Sequence, residues 1–212
     1  MSESKLTRTK ETWAREGRFL TGKVARDGDR LPPGQHVVRD WPVLDLGVQP
    51  TVAVEAWELR VFGLVEEQAT LDWAGLMALP QRTEKMDIHC VTTWSLYDNA
   101  WEGVATRDLL AMVGPKPEAR FVVLHGYDGY TTNLPLEDFA ADDAMIVHRW
   151  NGEKLSVAHG GPVRAIVPHL YLWKSAKWLH RIELIAADRA SYWEERGYHD
   201  RGDPWAEQRY SG

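Results

Sequence analysis

DIHCVTTWSLYDNAW, residues 87–101, holds the only cysteine of the chain, Cys90. EKMDIHCV reads as a short strand running straight into the thiol. Behind it, Asp98 and Asn99 form a polar pair that reads as a tight turn. A lone cysteine is ordinarily an inert small hydrophobe. To act as a nucleophile it needs a base and a third, orienting group. His89 is badly placed as that base, because neighbours on a strand point to opposite faces. A soft metal ligand is the third reading. One thiolate cannot build a structural zinc site, but it can complete a coordination sphere whose other ligands arrive with a cofactor. All three readings stay open at this point.

Working outward, the 212 residues are 44% hydrophobic and 26% charged, which suits one globular domain with enough core to fold without cross-links. A single cysteine excludes an internal disulfide framework and any Cys-rich zinc or iron–sulfur site. The net charge of -6, with basic residues scattered among acids, gives no sign of a nucleic-acid binder. No stretch approaches the apolar length needed to span a bilayer. The first twenty residues carry charges throughout and lack an apolar signal-like region, so the expected compartment is the cytoplasm.

The first forty-five residues read as an extended or looped arm, after a short helix at 10–19. Punctuation comes from Gly28, Pro32, Pro33, Gly34 and Pro42. TVAVEAWELRVFG (51–63) alternates like a strand. TLDWAGLMAL (70–79) has helical spacing, with Thr70 or Asp72 as cap and Pro80 beyond its end. WEGVATRDLLAMVG predicts a helix with Thr106 or Asp108 near its first turn and Gly114 at its stop. Residues 119–135 read as two strands about a Gly- and Asp-rich turn, LPLEDFAADD as a short helix, AMIVHRW as a strand, and Asn151-Gly152 as a hairpin turn. GGPVRAIVPH and WLHRIELIAA give two more strands, and residues 188–212 a polar tail with a helical turn. Many short strands with few short helices predict an α+β fold in a single domain, residues 1–212.

A second constellation is HGGPVRAIVPHLYLWKSAKW, residues 159–178. Gly160 and Gly161 let a backbone come close to a ligand. Arg164 lies inside an apolar strand, and Lys174, Ser175 and Lys177 add two cations and a hydroxyl. Together these donors suit a phosphate or pyrophosphate. P-loop and G-x-G-x-x-G spacings are absent, and the eight histidines form no close metal-ligand pattern. His125 and His159 stand out because each sits where a strand meets a glycine-containing turn.

HCVTTWS, then WEGV, then GGPVRAIVPHLYLWKSAKW resemble, in that order, the molybdopterin-dependent oxidoreductases of the sulfite oxidase-like fold. The likeness is to the short single-domain bacterial and archaeal branch related to the methionine sulfoxide reductase catalytic subunit, and it runs from about residue 32 to the end. The resemblance implies mixed β-sheets with short helices, a molybdenum–molybdopterin cofactor, and two-electron oxygen-atom transfer on a small sulfite-like or sulfoxide-like substrate. It also implies an external electron donor or acceptor protein, with no nucleic acid and no stable membrane insertion. By the same resemblance Cys90 is the molybdenum ligand. The cofactor contacts it implies are His159, Arg164, Ser175, Ala176 and Lys177, with His125 near the pterin, His89 beside the ligand, and His36 and Arg39 in an arm that closes over the cofactor. Arg196, His199 and Arg201 either line the active-site mouth or belong to a solvated tail. The competing classes are a cofactor-free cysteine enzyme and a non-catalytic pterin- or carbohydrate-binding module.

Overall fold

A computed structural model describes residues 30–211; the helix expected at 10–19 lies outside them. Two sheets carry the architecture. The first is assembled on β5 (Trp94–Ala105), a strand of 12 residues. β4 (Gln81–His89) runs antiparallel along it, from Gln81 opposite Val104 to His89 opposite Ser95. The short β1 (His36–Val37) pairs in parallel with Trp94 and Ser95, and β8 (Met145–Trp150) pairs antiparallel with the far end of β5. β9 (Glu153–Lys154) folds back on β8 through the Asn151-Gly152 turn, and β10 (Arg164–Ile166) adds beyond β8.

In the second sheet the order is β3 (Ala69–Asp72), β2 (Glu58–Gly63), β11 (Leu179–Ile185), β6 (Phe121–Gly126) and β7 (Thr131–Pro135). Only the β2–β11 pair is parallel. Among the described residues three α-helices accompany the sheets: α1 (Trp73–Ala78), α2 (Thr106–Val113) and the one-turn α3 (Leu136–Phe139). The α+β class holds. Buried side chains from both sheets, including Trp57, Leu59, Trp101, Ile146 and Ile182, merge into one apolar cluster.

Local chemistry explains most element ends. The Asp72 carboxylate accepts from Gly75 N at 2.7 Å and caps α1. Gly114, with φ +60°, ends α2 in the left-handed conformation that an L side chain resists. Two expectations are corrected. Residues 51–63 are not one strand: Val54–Ala56 form a 3-10 turn that sends Trp57 into the core, where its Nε1 donates to Leu179 O at 2.9 Å. Nor do Asp98 and Asn99 turn the chain; both lie within β5. There Tyr97 and Asp98 oppose the single residue Asp87, a bulge at which Asp98 takes φ +57°. The Asp98 amide donates to Asp87 Oδ1 at 2.9 Å, and Asn99 Nδ2 donates to Leu96 O at 2.8 Å. Asp98 is a residue type that tolerates positive φ, and Asn99 serves the bulge through its side-chain hydrogen bond, within a strand that continues.

The C-terminal tail is tied to the body by an ion cluster. Arg201 Nε and Nη2 both reach the Asp138 carboxylate of α3 at 2.9 Å. Asp138 Oδ1 also lies 3.3 Å from His169 Nε2, and Asp143 Oδ1 lies 2.8 Å from His169 Nδ1. Burial opposes charge on the imidazole, but the bonds to Asp138 and Asp143 outweigh it and hold its pKa up at about 9. A raised pKa contributes stability that is whole below the ordinary value of 6.5 and is lost as pH rises through about 9. Every other histidine with a shifted pKa is displaced downward, so its effect falls below 6.5. The melting temperature should therefore fall between pH 6.5 and 9 in the native protein. That slope should flatten in His169→Asn; thermal melts across the range decide it, and an equal slope in both proteins would contradict the assignment.

Candidate active site

A cleft of about 760 Å³ opens among the arm, the end of β4, the β6–β7 turn, residues 158–177 and the tail. Cys90 lies in its wall, 4% exposed. Just past β4 the chain makes a turn in which Cys90 N donates to Trp94 O at 2.8 Å and Thr93 N to Cys90 O at 3.0 Å. The sulfur lies 3.2 Å from the Thr92 hydroxyl. His89 does not serve it: Nδ1 is 2.8 Å from Ser95 Oγ, and burial holds the ring's pKa near 4. No histidine–cysteine hydrogen bond is present among the described residues, which leaves the nucleophile reading without its base.

The other end of the cleft is cationic. Arg164, on β10, is 2% exposed. Its Nη1 donates to His159 O and its Nη2 to Ser175 O, each at 2.9 Å, and its Nε to Ala165 O at 3.2 Å. The guanidinium lies 5.1 Å from the centre of the Trp41 ring. No carboxylate pairs with it among the described residues, and burial lowers its pKa to about 9. Lys177 Nζ donates to Ala158 O at 2.8 Å and lies 4.2 Å over Trp178. His159 is neutral, its pKa lowered by burial. Its Nε2 meets Trp41 O at 3.2 Å and its Nδ1 meets Ser156 Oγ at 3.0 Å, while the ring stacks on Trp41 at 4.1 Å. Both nitrogens are thus engaged by the protein, so His159 offers a ligand its ring edge and face.

The predicted residues divide on this geometry. Cys90, His159, Arg164, Ser175 and Lys177 converge on the cleft. Ser175 also uses its hydroxyl to accept from Val167 N at 2.9 Å. Ala176 is fully buried beside the cleft and gives its carbonyl to Ala165 N. His36 and Arg39 are exposed and lie outside it; the arm closes the cleft with Trp41, Pro42, Leu44, Asp45 and Leu46 instead. His125 also lies outside, on β6, with Nε2 3.3 Å from Glu183 on β11. Gly160 and Gly161 admit the protein's own chain: a Cβ at Gly160 would sit 2.8 Å from Lys177 Cβ, and one at Gly161 2.3 Å from Leu155 O. Arg196 donates to Tyr192 O, His199 accepts from the backbone of residues 201 and 202, and Arg201 holds Asp138, so none of the three lines the cleft.

Sequence reading missed the aromatic wall. Tyr130 and Asp128 come from the Gly- and Asp-rich turn and Trp173 from the 159–178 segment, signals that were visible; Trp193 and Tyr198 come from a tail with no local mark. Tyr198 stacks on Trp193 at 4.9 Å and meets Trp173 edge-on at 5.1 Å. Burial, then Tyr210 and Cys90, push its hydroxyl pKa up, so it remains a proton donor. Trp94, which lines the same cleft, buries its Nε1 without an acceptor among the described residues. A soft sulfur, an unmatched donor and an uncompensated buried cation therefore fit a ligand that is anionic at one end and brings a thiophilic metal at the other. No set of three or more His, Cys, Asp or Glu able to hold a metal occurs among the described residues.

Comparison with known proteins agrees with this donor set. A family profile, the oxidoreductase molybdopterin binding domain, matches residues 46–193. An uncharacterized oxidoreductase of Bacillus subtilis (strain 168), YuiH, is 45% identical over 86% of this chain and 92% of its own length. The mitochondrial sulfite oxidase of Drosophila melanogaster is 28% identical over 70% of this chain and 30% of that protein. The protein-methionine-sulfoxide reductase catalytic subunit MsrP of Ralstonia nicotianae is 27% identical over 73% and 53%. The chain thus spans about half or less of the length of these last two relatives. The sulfane dehydrogenase SoxCD of Paracoccus pantotrophus matches in fold with a TM-score of 0.66 at 21% identity, over 77% of this chain and 48% of that one.

The tail's side of the cleft rests on a buried ion pair. Lys174 Nζ and Glu194 Oε1 are 2.6 Å apart, both side chains being fully buried. Lys174 also donates to Asn133 O and Asp200 O, and Trp173 Nε1 donates to the same Glu194 oxygen at 2.9 Å. Glu194→Ala strands the ammonium and should destabilise the protein by about 3–5 kcal/mol in urea unfolding. Lys174→Met combined with Glu194→Leu should recover much of that loss; a loss under about 1 kcal/mol in the single variant would show the pair to be dispensable.

Proposed function

The chain belongs to the oxidoreductase molybdopterin-binding domain family, and from that premise we propose that its cleft holds one molybdenum–molybdopterin with Cys90 as the protein ligand. The reaction is two-electron oxygen-atom transfer on a small sulfite-like or sulfoxide-like substrate. The observation that carries the reading is the pairing, in one cleft, of a lone thiol with a buried guanidinium that has no carboxylate partner among the described residues.

When bound, the cofactor supplies the two-electron couple and the oxygen exchange; the chain supplies position and field. Cys90 offers sulfur from a turn closed at both ends. Arg164 and Lys177 offer charge to the anionic part of the pterin, and Arg164 is already oriented by three carbonyls, so little ordering remains to be done on binding. Tyr198, in the wall of the same cleft, keeps its proton and would offer a neutral hydrogen-bond donor to a group bound there. Trp173 and Trp193 exclude bulk water from that end, which strengthens each remaining polar contact. No helix among the described residues is long and apolar enough to cross a membrane. Electrons are exchanged with an external donor or acceptor protein.

Protein produced in a host that makes molybdopterin should contain molybdenum in stoichiometric amount, and a metal-free product from that host would overturn the reading. Cys90→Ser should melt at the native temperature and lose the thiolate-to-molybdenum absorption. Arg164→Ala should lose most of its molybdenum on gel filtration, with retained metal removing Arg164 from the cofactor site.

A further inference from the structure

Two consecutive carbonyls of the cysteine turn are each taken by a buried side chain from a distant part of the chain. Gln35, 0% exposed, donates Nε2 to Cys90 O at 3.1 Å. Its Oε1 accepts from Ser95 Oγ at 3.4 Å, and Ser95 in turn meets His89. Arg209, 3% exposed and 118 residues away in sequence, donates Nη1 to Val91 O at 2.8 Å. Its Nη2 donates to Pro33 O at 3.2 Å, and its guanidinium lies 5.0 Å over the Tyr171 ring. Arm and tail thus meet on the turn that presents the sulfur.

Gln35 alone accounts for a geometric role. Arg209 brings something more, a formal charge. Burying an ion costs several kcal/mol unless an opposite charge compensates it. No carboxylate lies within ion-pair distance of Arg209 among the described residues. The nearby Glu207 is solvent-exposed, where water screens it. Carbonyl and ring contacts offset part of the cost, and they fix the charge on the carbonyl of the residue that follows Cys90.

We propose that Arg209 is a positioning residue whose charge, delivered through the Cys90–Val91 turn, polarises the Cys90 thiolate and raises the reduction potential of the metal it holds. This rests on Cys90 being the ligand. A fixed positive charge beside the ligand favours the more electron-rich, reduced state of the centre, so removing it should move the potential downward. A merely structural arginine would leave the potential alone once the protein is loaded.

The experiment compares molybdenum-loaded wild type with Arg209→Gln, Arg209→Met and Arg209→Lys, reading metal content, the thiolate-to-molybdenum absorption and the midpoint potential from a redox titration. Both neutral variants that load should keep the absorption and titrate at a more negative potential, while Arg209→Lys, which keeps the charge, stays near wild type. If neither neutral variant loads but Arg209→Lys does, the charge serves retention of the metal and not its potential, and the proposal is overturned. A wild-type potential in Arg209→Gln or Arg209→Met overturns it. So does a shift in Arg209→Lys as large as theirs, or a failure of Arg209→Lys to load. Cys90→Ser run alongside separates the two levels: an absorption surviving there refutes the ligand assignment, whereas its loss with an unmoved Arg209→Gln potential refutes only the role of Arg209.

Discussion

Presenting one sulfur at the wall of an open cleft requires that the backbone around it be saturated with hydrogen bonds, because a buried peptide group without a partner costs as much as the contact it would make. The turn from Cys90 to Trp94 meets that requirement from three directions. Its own amides close it, Gln35 from the arm takes the Cys90 carbonyl, and Arg209 from the tail takes the next. Much of the surrounding architecture follows from this. β1 adds to the start of β5 so that the arm can deliver Gln35, and the tail crosses the body so that Arg209 can reach Val91. The ion pair of Lys174 with Glu194, and the contacts of Asp138 with His169 and Arg201, hold that crossing in place.

The cleft has two chemically distinct ends. Arg164, Lys177 and the neutral His159 form one, with the Arg164 guanidinium fixed by carbonyls and lacking a countercharge. At the other, Cys90 and Tyr198 line the wall, with Trp173 and Trp193 packed about the phenol. A cofactor with an anionic tail and a metal head satisfies both ends at once, which neither an isolated cysteine nucleophile nor a plain anion site would do.

Most elements and about half of the site were legible in the sequence, for identifiable reasons. Asn151-Gly152 announced the β8–β9 hairpin, Asp72 the start of α1 and Gly114 the stop of α2, because each is a local conformational demand met by a local residue. Arg164 was conspicuous as a charge within apolar neighbours. Asp98 and Asn99 misled because the positive φ that Asp98 adopts and the local hydrogen bonding of Asn99 serve a turn and a strand bulge alike; only pairing with Asp87 distinguishes them. His36, Arg39 and His125 were chosen for polar character near the right segments, but strand pleat and exposure carry them away from the cleft. Gln35, Tyr198 and Arg209 carried no local signal, since their placement depends on the arm and the tail meeting at a turn tens of residues distant.

The central claim is that Cys90 supplies a sulfur ligand to a cofactor metal. Molybdenum-edge X-ray absorption on the loaded native protein and on Cys90→Ser tests it most directly. The account predicts one fewer sulfur neighbour at the metal in the variant, with the remaining sulfur shell unchanged. An identical sulfur shell in the two proteins would contradict it.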